Sequence, residues 1–209
     1  MTNDEPYPFE LSGGALCLDF ANTVGDRPYS QNDHLQSYAD LLSWARQADL
    51  VDRSRQISLA HEADSHPRVA ARVFREAVDL RECIFHVFAA LADGHRPAAA
   101  DLARLNDSLA PVMGRLRLES DEEGIDWGWK GPATALDQMI WPVVRSAADL
   151  LTSEEGKSLR QCDSDTCSWL FVDRSRTRRR RWCDMKTCGN RAKARRHYER
   201  QKRRQRSGS

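Results

Sequence analysis

Four of the six cysteines form two closely spaced pairs in the C-terminal quarter of the chain. Cys162 and Cys167 make the first pair and Cys183 and Cys188 the second, in the pattern C-x4-C-x15-C-x4-C. Each pair can reach one metal ion, and the intervening segment is long enough to bring the pairs together. Four thiolates in tetrahedral geometry are typical of a closed structural zinc site. The pattern predicts one structural Zn²⁺, with unpaired thiols or an iron–sulfur cluster as the alternatives.

The other reactive residues do not form a catalytic signature. His61-Glu62 and His66 resemble the H-E-x-x-H motif, but a spacing of five turns a helix by about 500° and places the two imidazoles on different faces. The sequence has no G-x-S-x-G, no phosphate-binding glycine loop and no G-x-G-x-x-G. Cys17 and Cys83 lie alone among apolar residues, as buried structural thiols do. We therefore expect the protein not to be an enzyme.

A small polar cluster near the N-terminus is a candidate ligand pocket. Asp19, Asn22, Thr23 and Arg27 lie close together among apolar residues. If residues 19–24 are helical, the first three share one face. One interpretation is local capping within a buried structural network. The other is a pocket for a small polar ligand, with Arg27 binding an anionic group of that ligand.

The net charge of +1 conceals two oppositely charged regions. Residues 161–209 hold 16 Lys and Arg against 5 Asp and Glu, whereas residues 1–160 hold 16 against 26. An acidic body with a strongly basic tail indicates two modules with different partners. We predict a domain over residues 1–157 and a second over residues 158–209.

Hydrophobic periodicity predicts a mainly α fold with a small β component. The predicted helices cover about 34–48, 52–65, 68–92, 97–109 and 133–152. Asp52 should cap the second helix, Gly94 should end the third, and Pro142 should kink the last. Residues 14–20 suit a short strand that runs into a helical turn at Ala21–Val24. Alternation over 115–119 and 125–129 predicts an antiparallel hairpin, with a turn from Asp121 to Gly124.

The C-terminal module is predicted to fold as a treble-clef-like zinc finger. Residues 168–172 suit a strand that would pair with a second strand ending at 181–183, with the turn near 173–178. Gly189 would take a positive φ, and Asn190 would cap a helix over residues 191–205. The order of metal-binding turn, hairpin, metal-binding turn and helix is that of a treble clef.

Ten basic residues of this module are candidates for nucleic-acid contact. Six arginines within residues 174–181 repel one another and require a polyanion or an acidic partner to offset them. A rigid finger with a basic hairpin and a basic helix is typical of nucleic-acid binding. The candidates are Arg174, Arg176, Arg178, Arg179, Arg180, Arg181, Arg191, Lys193, Arg195 and Arg196.

Several short stretches resemble a known family. Cys188-Gly189-Asn190-Arg191 is the signature of the bacterial CGNR zinc finger, and residues 169–175 and 181–185 are similar to the other stretches that this family shares. Residues 13–23 resemble the opening of the ABATE domain that usually precedes the finger. The resemblance implies a stress-induced transcription regulator with a mainly helical N-terminal domain. It also implies that Cys162, Cys167, Cys183 and Cys188 are the zinc ligands.

Together these features predict a zinc-dependent regulator that binds duplex DNA, with an acidic domain for sensing a signal or for forming a homodimer. The alternative is an adaptor that docks an acidic protein through its basic finger. An RNA-binding role is less favoured, because Trp169, Phe171 and Trp182 are expected in the core of the finger instead of stacking on bases. No apolar run is long enough to span a membrane, and the acidic opening lacks the apolar region of a signal peptide, so we expect a cytoplasmic protein.

Overall fold

The computed structural model describes residues 9–27, 29, 32–120 and 124–207, without the side chains of residues 196, 199, 200 and 202–207. The helices are α1 (Leu16–Ala21), α2 (Tyr38–Gln47), α3 (Arg53–Ser65), α4 (Pro67–Ala92), α5 (Ala99–Met113), α6 (Trp141–Thr152) and α7 (Asn190–Ser207). The strands are β1 (Val24–Gly25), β2 (Asn32–Asp33), β3 (Leu116–Ser120), β4 (Ile125–Trp129), β5 (Leu159–Gln161) and β6 (Leu170–Val172). Consecutive strands pair antiparallel as three two-stranded sheets. The mainly α prediction is confirmed; residues Asp121–Glu123 of the predicted turn lie outside the described part of the chain.

The central element is α4, whose apolar stripe contacts α1, α2, α3 and α5. Phe20 and Trp44 are fully buried beside it, with ring centroids 4.8 Å apart. Cys17 and Cys83 are buried free thiols, as predicted, and burial raises the pKa of Cys17 to about 12. Within the described residues, no helix combines the length and the apolarity needed to cross a membrane.

Two predicted helix boundaries are confirmed by their caps. The side chain of Asp52 accepts a hydrogen bond from the Arg55 amide at 2.7 Å, which begins α3. Gly94 has a φ of 76° and ends α4. Its amide donates to the Leu91 carbonyl, and the His95 amide donates to the Ala90 carbonyl at 2.8 Å. These two bonds form a Schellman motif, which explains why a glycine is needed there.

Two predictions about the body were wrong. Residues 14–20 were expected to form a strand, but Leu16–Ala21 are helix α1, which packs between α4 and α6. A short apolar run does not distinguish a buried strand from a buried helix. Pro142 does not kink a long helix; it lies in the first turn of α6, where its missing N–H needs no partner.

The partner of β6 also differs from the prediction. The strand pairs with β5, with Gln161 opposite Leu170, and not with residues 181–183. A single backbone bond, from the Asp163 amide to the Arg181 carbonyl, joins that segment to the chain preceding β6. The Asp173 carboxylate accepts hydrogen bonds from the backbone amides of Ser175 and Arg180, and these bonds fold the arginine-rich segment into a loop. The two amides are therefore not free to pair with a neighbouring strand.

The β5–β6 pair joins the C-terminal module to the body. Leu159, Leu170 and Val172 belong to the core of the body, whereas Phe171 points the other way into the cysteine cluster. Asn22, with 2% exposure, accepts from the Leu170 amide at 2.9 Å and donates to the Leu170 carbonyl at 2.8 Å. The Trp169 indole donates to the Val24 carbonyl at 2.9 Å. The two modules are therefore packed as one structure at this strand.

Asn22→Leu should destabilise the whole chain. The change removes the side-chain amide that bonds both the N–H and the C=O of Leu170. These two backbone groups are buried and would then have no hydrogen bond. Each such orphaned group costs about 1–3 kcal/mol, so the free energy of unfolding should fall by about 2–4 kcal/mol. Urea denaturation measures this. Ser37→Ala, which removes only an exposed helix cap, should cost about 1 kcal/mol or less. An Asn22→Leu protein as stable as the parent would show that this contact does not couple the modules.

Candidate metal centre and basic loop

The four predicted ligands converge in one cluster. All four cysteines are buried, and their Sγ atoms lie within 4.8 Å of one another. The Cys167–Cys183 sulfur distance is 3.8 Å and the Cys183–Cys188 distance is 3.6 Å. A tetrahedron with Zn–S bonds of about 2.3 Å has sulfurs about 3.8 Å apart. The cluster therefore fits one zinc ion, and four thiolates fill its coordination sphere.

Each cysteine pair is held by a separate turn. Cys162 follows β5 and Cys167 precedes β6, and the Cys167 amide closes the turn onto the Ser164 carbonyl at 3.0 Å. Cys188 lies in a π-helical turn over Met185–Gly189, directly before α7. The Asp184 carboxylate caps this turn by accepting the amides of Lys186 and Thr187 at 2.6 and 2.8 Å.

Two predictions about this second turn were wrong. Asn190 does not cap α7, because Asp184 begins the helical path six residues earlier and Asn190 already has helical angles. Gly189 does not take a positive φ within the described residues. A Cβ at position 189 would lie 2.7 Å from the sulfur of the exposed Met185 side chain, which would have to shift to make room for it.

The first two turns of α7 are tied to the first cysteine turn. Arg191 donates to the Thr166 hydroxyl at 2.7 Å, and Arg195 pairs with Asp165. Both partners lie between Cys162 and Cys167, so these arginines brace the metal centre from outside. Arg191 and Arg195 were predicted to contact nucleic acid, and the geometry gives each of them a role within the finger.

A basic loop over residues 173–181, which we call the arginine loop, is organised by one carboxylate. Asp173 is 1% exposed and accepts the amides of Ser175 and Arg180 at 2.9 and 2.8 Å. Burial alone would raise the pKa of Asp173, but these hydrogen bonds outweigh it and hold the pKa below its ordinary value. Arg178 has a φ of 48°, the left-handed conformation that lets the loop turn back.

Three arginines of the arginine loop have partners within the protein. The guanidinium of Arg180 lies 4.5 Å above the Phe171 ring and donates to the Trp182 carbonyl. Arg181 pairs with Asp163 at 2.7 Å, and Arg174 pairs with Glu155. The last two pairs are exposed to solvent, so each contributes at most about 1 kcal/mol.

The remaining three arginines are exposed to solvent. Arg176, Arg178 and Arg179 are exposed, and their side chains have no hydrogen-bonding or ionic partner in the part of the chain that the structure describes. Arg160 and residues 178–181 line a cleft of about 490 Å³ beside the first cysteine turn. Lys193 is exposed on α7, and the side chain of Arg196 lies outside the described part. The arginine loop therefore presents three exposed arginines within four residues, none of them with a side-chain partner among the side chains that the structure describes.

Two family models match nearly the whole chain. The ABATE model, described as "Putative stress-induced transcription regulator", matches residues 14–154, and the CGNR zinc-finger model matches residues 158–201. The chain belongs to the ABATE family. Its C-terminal part is a CGNR zinc finger, and the cysteine cluster provides the site for one zinc ion. No curated protein matches the chain.

The predicted pocket of the ABATE domain is assembled in part. Asp19, Asn22 and Thr23 line a cavity of about 150 Å³, together with Phe9, Glu10, His34 and Trp169. Arg27 does not line it: its guanidinium pairs with Glu82 at 2.6 Å and lies 4.0 Å from the centre of the Phe85 ring. The cavity brings the finger residue Trp169 against the ABATE domain. The ligand itself stays a prediction.

Sequence reasoning missed a buried ionic network in the ABATE domain. Arg81, 2% exposed, donates to both carboxylate oxygens of Asp33 at 2.7 Å and to Glu82 at 3.0 Å. It also donates to the Thr23 hydroxyl at 3.3 Å, so Thr23 belongs to this network as well as to the cavity. The sequence does carry a signal for this burial: Arg81 follows Ala77 by four residues on α4, and the helical period therefore places it on the apolar stripe that faces the core.

Asp19→Asn should stabilise the protein at pH 8 but much less at acidic pH. Burial raises the pKa of Asp19 from 3.8 to about 6, against the opposing effect of a hydrogen bond from the Gly13 amide. The stability contributed by the protonated form is therefore fully present below about pH 4 and is lost as the pH rises through about 6. At pH 8 the ionised carboxylate costs on the order of 2–3 kcal/mol, which a neutral amide avoids.

Denaturation curves of the two proteins at pH 8, 6 and 4.5 measure this difference. The matched control is Asp107→Asn on α5, where the residue is exposed to solvent. A stability difference between parent and Asp19→Asn that does not shrink toward low pH would contradict the raised pKa.

Proposed function

We propose that this ABATE-family protein is a zinc-dependent transcription regulator that binds duplex DNA through the arginine loop of its CGNR finger. The observation that carries the proposal is a loop whose backbone is held by Asp173 while the side chains of Arg176, Arg178 and Arg179 stay exposed. A loop whose backbone is already held loses less conformational entropy when its guanidinium groups bind phosphates, because only the side chains must still be ordered. The closed four-thiolate site leaves no coordination position for a substrate, which supports a binding role over a catalytic one.

The partners of the other arginines favour the same proposal. The exposed pairs Arg174–Glu155 and Arg181–Asp163 are weak enough to exchange for a phosphate when a duplex approaches. Two aromatic residues that could stack on single-stranded bases are occupied, because Phe171 is fully buried and the Trp169 indole donates to the Val24 carbonyl; Tyr198 on α7 is the exposed one. These features favour the phosphate backbone of a duplex over single-stranded RNA.

The acidic ABATE domain would prevent the protein from binding DNA through any surface other than the zinc finger. Its excess of Asp and Glu repels phosphate, so contact should be confined to the finger. We propose that the ABATE domain senses a signal and acts in the cytoplasm. The cavity beside Asp19 is the candidate site for that signal, because Trp169 of the finger forms part of its wall.

A competition experiment tests this function. Fluorescence anisotropy of a labelled duplex should show binding that weakens steeply with salt, because each neutralised phosphate contributes about 0.9 to the log–log slope. An unlabelled duplex should displace the label at lower concentration than single-stranded RNA of equal length or an acidic protein of equal charge. If the acidic protein competes best, the adaptor function replaces the proposed one; if the RNA does, the nucleic acid is single-stranded.

A further inference from the structure

The β3–β4 hairpin carries an exposed apolar face. Leu118, Ile125 and Trp127 lie on this face and are 64%, 75% and 51% exposed. Trp129 lies on the same face at the other end of β4, where it packs against Trp141. Leu118 lies directly opposite Trp127, so the two side chains project from the same side of the sheet. The Arg145 guanidinium lies 4.7 Å from the centre of the Trp127 ring and covers part of it, whereas Leu118 and Ile125 remain exposed toward the tip of the hairpin.

The two edges of this hairpin differ. At the β4 edge, the Trp127 amide already donates to the Asp126 carboxylate at 2.6 Å, so one outward donor of that edge is taken. The Lys130 amide donates to the Arg115 carbonyl, so residues 115 and 130 form a hydrogen-bonded pair. Along an antiparallel ladder, hydrogen-bonded pairs alternate with non-hydrogen-bonded pairs. Leu116, Leu118 and Ser120 are therefore in non-hydrogen-bonded pairs, and their peptide groups point outward from β3. Among the described residues, no third strand pairs with that edge.

We propose that β3 pairs antiparallel with β3 of a second copy of this chain, about a twofold axis through Leu118. The pairing gives a four-stranded sheet in which the apolar row Trp127–Leu118 continues into the same row of the second copy. It satisfies the outward peptide groups of both β3 strands. It also covers Leu118, which is the exposed apolar residue nearest the axis.

The charges beside Leu118 indicate a second copy instead of an unrelated strand. Arg117 precedes Leu118 and Glu119 follows it, and both lie on the opposite face of the sheet. In a twofold pairing centred on Leu118, each Arg117 lies opposite Glu119 of the second copy. Opposite charges directly across an antiparallel pair stabilise it and like charges destabilise it. The strand is therefore complementary to itself in this register.

Charge reversal tests the register. Arg117→Glu gives a strand with two carboxylates, and Glu119→Arg gives one with two guanidinium groups. Each variant alone should dimerise at least about tenfold more weakly than the parent, measured by sedimentation equilibrium, because both cross-strand pairs become repulsive. An equimolar mixture of the two variants should recover dimers as stable as those of the parent, because every cross-strand pair is then attractive. Arg53→Glu, an exposed charge reversal on α3, is the matched control and should leave dimerisation unchanged.

The mixture separates pairing from a merely local effect. Arg117 and Glu119 also pair within one strand, so each single variant loses that contact too. Mixing cannot restore a contact within one chain, whereas it does restore contacts between chains. A parent protein that is monomeric at every concentration measured, single variants that dimerise like the parent, or a mixture that stays monomeric would each overturn the proposal.

Discussion

Replacing Cys183 by Ser should abolish stoichiometric zinc binding and unfold the chain beyond Asp173. The core of the finger around the cysteines contains Phe171 and the flanking Trp169 and Trp182, which is too little apolar surface to fold alone. Metal binding supplies on the order of 10–16 kcal/mol in comparable structural sites. The β5–β6 pair should remain folded because it belongs to the core of the ABATE domain, but the melting temperature of that domain should fall.

Elemental analysis, thermal melting and amide hydrogen exchange measure these outcomes. Cys83→Ser is the matched control: it removes a buried thiol on α4 that donates to the Asp101 carbonyl, outside the metal centre. That variant should keep its zinc and the protection of α7 amides. Full zinc content in Cys183→Ser, or unchanged protection after Asp173, would show that the four cysteines do not act as one site.

Asp173→Asn should weaken DNA binding even though it removes a negative charge from the basic loop. Each carboxylate oxygen of Asp173 accepts one backbone amide, and an Asn side chain offers one acceptor and directs an NH₂ group at the other amide. An orphaned buried donor costs about 1–3 kcal/mol, so the loop loses its fixed shape. We expect affinity for a duplex to fall about tenfold at low salt, where a simple gain of positive charge would raise it.

The control for this prediction is Asp163→Asn. It makes the same chemical change in the same finger, but Asp163 is exposed and holds only the side chain of Arg181. Freed from this pair, Arg181 becomes available to phosphate, so affinity should stay equal or rise. If both variants bind DNA more tightly than the parent, net charge governs binding and the shape of the loop does not.

Local spacing explains what the sequence could predict. The cysteine pattern determined the metal site because the ligands within each pair are five residues apart, and a turn of that length brings them together without information from the rest of the fold. Asp52 predicted the start of α3 and Gly94 the end of α4 for the same reason, since a helix cap acts on backbone groups only a few residues away.

Contacts between distant residues explain what the sequence could not predict. The partner of β6 is the three-residue strand β5, whose sequence Leu-Arg-Gln carries no alternation that periodicity could detect. Arg27 does not line the predicted pocket because it pairs with Glu82, which lies 55 residues away in the sequence. Arg81 was missed because its partner Asp33 is 48 residues distant, and such a pair is not visible in a single sequence.

The salt dependence of duplex binding by an arginine-loop variant tests the central claim most directly. The variant carries Arg176→Ala, Arg178→Ala and Arg179→Ala; its control carries Arg68→Ala, Arg72→Ala and Arg75→Ala on the exposed surface of α4, with the same change in net charge. We predict that the loop variant loses affinity and that its log–log salt slope falls by about 2–3, since each lost phosphate contact removes about 0.9. The α4 control should bind like the parent. Equal affinities and equal slopes for the loop variant, the control and the parent would contradict the claim that the arginine loop is the DNA-binding surface.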